Sequence, residues 1–228
     1  MRSGDARMNT TKGSALIVGA GPGLGRSLAA AFAGDGHRVA LIGRDGPRLK
    51  TLADDLVDAG HSAVAYSADA AAPGLLATVL AEAVDDLGEP DVLVYNAAFA
   101  RPDRPTGISV EDWATSFAVN VTGAAVAATT VIPMLREGRG TVLFTGGGMA
   151  LNPSPDYTSL SVGKAALRAY AHALHEEQRE AGVHVTTVTI RGFLSPGDAR
   201  FDPDVVAESY LELHHRPQDQ WRAEYVYG

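Results

Sequence analysis

The stretch Val18-Gly19-Ala20-Gly21-Pro22-Gly23-Leu24-Gly25 constrains this chain more than any other. Ahead of it runs Ser14-Ala15-Leu16-Ile17-Val18, a short apolar segment that reads as a buried parallel strand. Behind it, Leu24, Leu28, Ala31 and Phe32 fall on one helical face. A glycine turn between strand and helix carries more information than a glycine motif alone. The bend needs positive φ, and a backbone without Cβ lets an anion such as a pyrophosphate approach closely. Free N–H groups at the helix start then face that anion.

The rest of the chain repeats this alternation, which implies a parallel sheet covered on both faces. Strands are expected over 37–43, 63–66, 91–95, 140–145 and 183–190, and an edge strand over 224–227. Helices are expected from Asp45 to Ala59, Pro73 to Leu87, Ser109 to Arg136, Tyr157 to Ala181 and Pro203 to Leu213. Pro73 suits a first helical turn, and Gly182 a helix end. The predicted fold class is α/β: a Rossmann-type doubly wound parallel sheet of about seven strands, order 3-2-1-4-5-6-7, with the ligand crevice at the carboxyl ends.

Composition narrows the function. The 228 residues suit one α/β domain, residues 14–228, and residues 1–13 read as a mobile N-terminal tail. With a net charge of -8 and no Lys/Arg block, the chain lacks the basic footprint of a nucleic-acid binder. It has no cysteine, hence no disulfide, thiolate metal site or cysteine nucleophile. No metal site is expected elsewhere; His172, His175, His214 and His215 read as helix surface. No apolar run approaches membrane-spanning length, and residues 1–13 lack the apolar centre of a signal peptide. The expectation is a cytoplasmic protein with neither membrane nor nucleic acid as partner.

Spaced as Gly19-x-x-x-Gly23-x-Gly25, the glycines resemble the TGxxxGxG turn of the short-chain dehydrogenase/reductase family, with Val18 in place of Thr. The resemblance covers about residues 14–190. Asp69 matches the acid after the third strand that contacts adenine in that family. Asn96-Ala97-Ala98 resembles Asn-Asn-Ala-Gly after the fourth strand, with Tyr95 in place of the first Asn. Asn120 matches the family's helix asparagine, and Lys164 its active-site lysine. The cofactor-binding set implied is Gly19, Gly23, Leu24, Gly25, Arg44, Asp69, Ala70, Asn96 and Lys164. The implied cofactor is NADP(H) rather than NAD(H), because Gly43-Arg44-Asp45 places a cation where an acid would bond the ribose 2′-hydroxyl. Asp45 opposes this reading unless it caps the following helix.

The departures fall on the chemistry. The family's catalytic motif is YxxxK, yet Leu160 stands four residues before Lys164. The family serine, about thirteen residues before that tyrosine, falls on Gly147 within Gly146-Gly147-Gly148. Arg191-Gly192 replaces the usual Pro-Gly pair after the sixth strand. The pattern resembles a divergent bacterial branch of the family with the same glycine triplet. Catalytic candidates are then Asn120, Lys164 and Tyr157, the last three residues before Leu160 and so able to share its helical face. The resemblance implies an oxidoreductase with a non-standard active site acting on a small organic molecule. A cofactor-binding sensor or scaffold without turnover, and a non-redox cyclase or isomerase, are the alternatives. A homodimer or homotetramer is expected, from alanine-rich faces at Ala124, Ala125, Ala127 and Ala128 and at Ala165, Ala166, Ala169 and Ala173.

Overall fold

The computed structural model describes residues 12–138 and 140–228. Seven parallel strands form one sheet in the order β3-β2-β1-β4-β5-β6-β7. They are β1 Ser14–Val18, β2 Arg38–Gly43, β3 Ala63–Ser67, β4 Pro90–Tyr95, β5 Thr141–Thr145, β6 His184–Ile190 and β7 Glu224–Tyr227. The helices are α1 Leu24–Gly34, α2 Gly46–Asp58, α3 Pro73–Leu87, α4 Val110–Phe117, α5 Gly123–Val131, α6 Thr158–Gln178 and α7 Pro203–His214. The expected Rossmann-type order is the one observed.

Alternation along the strands divides the core between the two faces. Ala15 and Ile17 of β1 pack with Leu24, Leu28, Leu49, Leu56 and Tyr210, from α1, α2 and α7. Leu16 and Val18 pack with Leu76, Leu80, Ala124, Leu167 and Ala171, from α3, α5 and α6. Both faces are buried, which is why the central strands read as continuous apolar runs.

Local signals set the helix ends. Asp45 accepts a 3.1 Å hydrogen bond from Arg48 N and caps α2. Ser109 accepts from Asp112 N and caps α4. Gly182 ends the turn after α6 at φ +78. The long helix expected from Ser109 to Arg136 is not uniform. Between α4 and α5 lies a π-helical turn, Ala118–Thr122, and a 3-10 turn, Ile132–Met134, closes the run.

Two expectations change. The helical run Val110–Met134 is long and apolar enough to cross a membrane by length and composition, contrary to the sequence reading. A search for uninterrupted apolar residues overlooks it because threonines and Asn120 break the run. Its apolar side is used inside the protein: Ala124, Ala127, Ala128 and Val131 are fully buried. Those alanines therefore pack on the sheet and do not form an outward face, whereas Ala165, Ala169 and Ala173 of α6 are exposed. Of the expected tail, residues 1–11 lie outside the described residues. Lys12 pairs with Asp35 at 2.6 Å and Gly13 N donates to Asp91 at 2.6 Å, so these two belong to the domain.

Candidate active site

A cleft of about 800 Å³ opens at the carboxyl ends of β1 to β4. Its walls are the segments that leave those strands: 18–22, 43–49, 68–70 and 96–99, with Val119 at one end. This is the crevice at the topological switch point, where α/β sheets bind ligands. Of the expected cofactor set, Gly19, Arg44, Asp69, Ala70 and Asn96 line it. Gly23, Leu24, Gly25 and Lys164 do not, and neither do Asn120 and Tyr157. The Leu24 side chain is buried in the core with α1, so its backbone N–H at the helix start is what a ligand can use.

The glycines of the turn serve different ends. Gly19 sits at φ +89, and a Cβ there would lie 2.7 Å from Ala97 Cα. At Gly25 a Cβ would collide with the Gly19 carbonyl, so this glycine lets α1 pack on the turn. Gly21 and Gly23 have no heavy atom within 4 Å of the position a Cβ would take. Their missing side chains leave open space at the helix start, which is what a pyrophosphate needs. Asn96 braces the turn by donating from Nδ2 to Gly19 O at 2.9 Å. Asp69 accepts from Ala71 N at 2.9 Å, which fixes its carboxylate at the cleft wall. Arg44 is exposed at the rim, while Asp45 is engaged by Arg48.

A second group of residues lies beyond β4, toward β5 and α6. Lys164 Nζ is buried and donates to Thr145 O at 2.6 Å. Burial pushes its pKa down to about 8. Asn120 is buried in the π-helical turn. Its Oδ1 accepts from Phe99 N at 2.9 Å, and its Nδ2 donates to Phe99 O and to Ser116 Oγ, each at 3.1 Å. A Cβ on Gly163 would lie 2.8 Å from Asn120 Cβ, so glycine at that position lets α6 approach the π turn and brings Lys164 beside it. Tyr157 stands at the start of α6, half-buried, with a β-bridge to Asp103. Among the described residues its hydroxyl has no hydrogen-bond partner. Leu160 is half-buried one turn before Lys164.

The glycine triplet splits in the same way as the turn. A Cβ on Gly146 would lie 2.7 Å from Thr187 Oγ1, so this residue is required by the approach of β6. Gly147 has no heavy atom within 4 Å of its Cβ position and is extended at φ -164.

The partners of four hydroxyl groups are supplied by the structure alone. Tyr95 is fully buried and donates to Val119 O inside the π turn. Burial raises its pKa, so it stays a neutral donor. Thr145 Oγ1 lies 2.9 Å from the hydroxyl of buried Tyr210 on α7. Ser159 donates to Asp103, whose other oxygen takes Ser159 N at 3.1 Å and caps α6. Ser161 spends its hydroxyl on Tyr157 O at 2.8 Å. A buried tyrosine implies a partner, so Tyr95 in an apolar strand was the one detectable signal.

Residues 13–204 match the model of the short chain dehydrogenase family. The chain belongs to the short-chain dehydrogenase family. A short chain dehydrogenase of Pseudocercospora fijiensis is 31% identical over 175 residues, 75% of this chain but 56% of that protein. The chain thus spans little more than half the length of that relative. Glucose 1-dehydrogenase of Gluconobacter oxydans is 30% identical over 185 residues, 79% of this chain and 69% of that one. Among solved structures, a metagenomic short-chain oxidoreductase in complex with NADP superposes with a TM-score of 0.84 at 23% identity, covering 94% of this chain and 96% of that one. Within this family member, Gly19, Gly21 and Asn96 line the cleft, while Asn120 and Lys164 lie in the second group beyond β4. Leu160 and Gly147 bring neither a proton nor a polar side chain to it.

Proposed function

We propose that this short-chain dehydrogenase is an NADP(H)-dependent oxidoreductase with a non-standard active site, acting on a small organic substrate in the cytoplasm. The carrying observation is the cradle. Gly21 and Gly23 open onto the start of α1, and Arg44 at the rim has no ion pair among the described residues, Asp45 being turned to α2. Those residues fit a dinucleotide: Gly19 to Gly25 at the pyrophosphate, Asp69 and Ala70 at the adenine, Arg44 at a 2′-phosphate, and Lys164 at the nicotinamide ribose. When bound, the nicotinamide supplies or accepts a hydride. The protein's own task is to orient the partners and place a proton. Leucine at 160 gives none, and loss of a positioned acid costs about 10²–10⁴ in rate. Tyr157 is the candidate donor; the other solution is a substrate, such as an iminium or quinone-like acceptor, that takes hydride without one.

Titration calorimetry tests the cofactor reading. NADPH binding tighter than NADH supports it, and the reverse order overturns it. The absence of an acid at 160 and of a hydroxyl at 147 favours a second reading, a protein that binds the cofactor without turnover. NADPH oxidation with a panel of carbonyl compounds separates the two.

A homodimer or homotetramer belongs to the same proposal. Phe117 and Val162 are exposed large apolar side chains, and Ala165 and Ala169 continue an outward face on α6. Small side chains let helices approach closely. Light scattering at micromolar concentration checks it, and a monomer mass refutes it.

A further inference from the structure

The exit of β6 supplies a cation that the reading above leaves without a task. Arg191 follows Ile190, and its backbone N donates to Tyr227 O at 2.9 Å. Its stem is held on two sides. A Cβ on Gly148 would lie 3.3 Å from Arg191 Cα and 3.6 Å from its Cγ, and one on Gly228 would lie 3.7 Å from its Cβ. The residue is exposed. Among the described residues its guanidinium has neither ion pair nor hydrogen bond. Arg48, Arg101, Arg104 and Arg168, by contrast, each face a carboxylate within 4 Å. Arg44 at the cleft rim is likewise without an ion pair among the described residues; what sets Arg191 apart is its place at the carboxyl end of β6, packed against Gly148.

Its surroundings give the charge a use. Beside the second group of residues, a path leads from Lys164 through Thr145, whose carbonyl the lysine holds, along Gly146, Gly147 and Gly148, and Gly148 packs against Arg191. The three glycines present no side chain, and Gly147 faces open space. The triplet itself offers a neutral carbonyl compound no side chain to bind. Beyond Arg191, Phe193 is 82% exposed and Leu194 39% exposed, apolar surface next to the cation.

We propose that Arg191 is the anchor for a carboxylate on the substrate, so that the site takes a keto acid or a similar carboxylate-bearing acceptor with an aryl or alkyl body. This rests on the oxidoreductase reading of the same site. A guanidinium meets a carboxylate through two parallel charge-assisted hydrogen bonds, which fix orientation as well as position. An anchored carboxylate orients the neighbouring carbonyl, a task for which Gly147 has no side chain.

Benzoylformate and its methyl ester, alike in shape and different in charge, are the probes. Calorimetry of each is run on the full chain, alone and saturated with NADP⁺, for wild type, Arg191→Gln and Arg191→Lys. The acid is expected to bind wild type about tenfold more tightly than the ester, as a charged hydrogen bond contributes. Arg191→Gln is expected to erase the difference, Arg191→Lys to keep part of it, and both to bind NADP⁺ within about twofold of wild type. Equal binding of acid and ester to wild type overturns the proposal. So does a preference that survives in Arg191→Gln, or a loss of NADP⁺ affinity in that variant, which assigns Arg191 to the cofactor. Failure of NADP⁺ to bind wild type strikes the cofactor reading instead, and the acid-to-ester ratio without cofactor still decides the role of Arg191.

Discussion

Lys164 Nζ and the carbonyl oxygen of Thr145 lie 2.6 Å apart, which ties a buried ammonium on α6 to the last residue of β5. The bond holds the lysine at the carboxyl end of the sheet, and burial lowers its pKa to about 8. Two effects of opposite sign follow. Below about pH 8 the ammonium is charged and able to hold ribose hydroxyls, so NADP⁺ affinity is expected to decline from pH 7 to 9. The unfolded chain keeps its proton to about 10.5, so between 8 and 10.5 it binds more protons than the fold does, and unliganded stability rises with pH. Lys164→Ala is expected to weaken NADP⁺ binding at pH 7 by more than about 1 kcal/mol and to flatten both profiles. An unchanged dissociation constant in that variant removes Lys164 from the site.

The glycine turn makes a second prediction, because its members separate by function. Gly25→Ala forces a methyl against the Gly19 carbonyl and Ala20 Cα, so it is expected to destabilise the fold by about 1–3 kcal/mol. Gly23→Ala meets no protein atom within 4 Å. It is expected to leave the urea midpoint nearly unchanged and to lower cofactor affinity severalfold. Equal stability losses in the two variants would mean that the turn serves the fold alone.

What was legible in the sequence was what depends on local pattern. The strand order followed from apolar runs alternating with amphipathic helices, and capping by Asp45 followed from its place before α2. The π-helical turn at Asn120 was not legible, because one extra residue in a turn leaves the apolar periodicity of a helix nearly unchanged. Nor was the Thr145–Tyr210 bond, which joins residues 65 apart across the sheet. The difference between Gly146 and Gly147 is likewise a matter of what stands opposite each, and only three-dimensional packing supplies that.

At the other end of the sheet, acid sensitivity is expected from buried histidines. His184 and His214 are pushed down to about 4 by burial, and His37 is lowered by the same cause. Around His214 stand His37 and His215, which add to the lowering, and Asp91 and Asp35, which oppose it. The unfolded chain takes up these protons near 6.5 while the folded one refuses them. Stability is therefore full above about pH 6.5 and falls as pH drops toward 4, by at most about 1.4 kcal/mol per pH unit for each histidine. Urea midpoints at pH 7.5, 6, 5 and 4.5 check the slope. His214→Gln, which cannot take up a proton, is expected to reduce it, and a flat profile in wild type contradicts the assignment.

The last prediction concerns the missing acid. Gly147 has room for a side chain, and Leu160 stands half-buried one helical turn before Lys164. The double variant Leu160→Tyr with Gly147→Ser is therefore expected to fold and to gain carbonyl reduction with NADPH over a weak wild-type rate. The gain should stop short of a complete family site, because functional groups must be placed within about 0.5 Å. Gly146→Ser is the control for position. Its Cβ would sit 2.7 Å from Thr187 Oγ1, so it is expected to cost stability and add no activity. Tyr157 complicates the reading, since its hydroxyl is unengaged among the described residues. If it already supplies the proton, wild type reduces carbonyls and Tyr157→Phe abolishes the activity. Robust wild-type reduction that survives Tyr157→Phe places the acid elsewhere. Thr145, whose hydroxyl is shared with Tyr210 beside the lysine-bound carbonyl, is then the next residue to change.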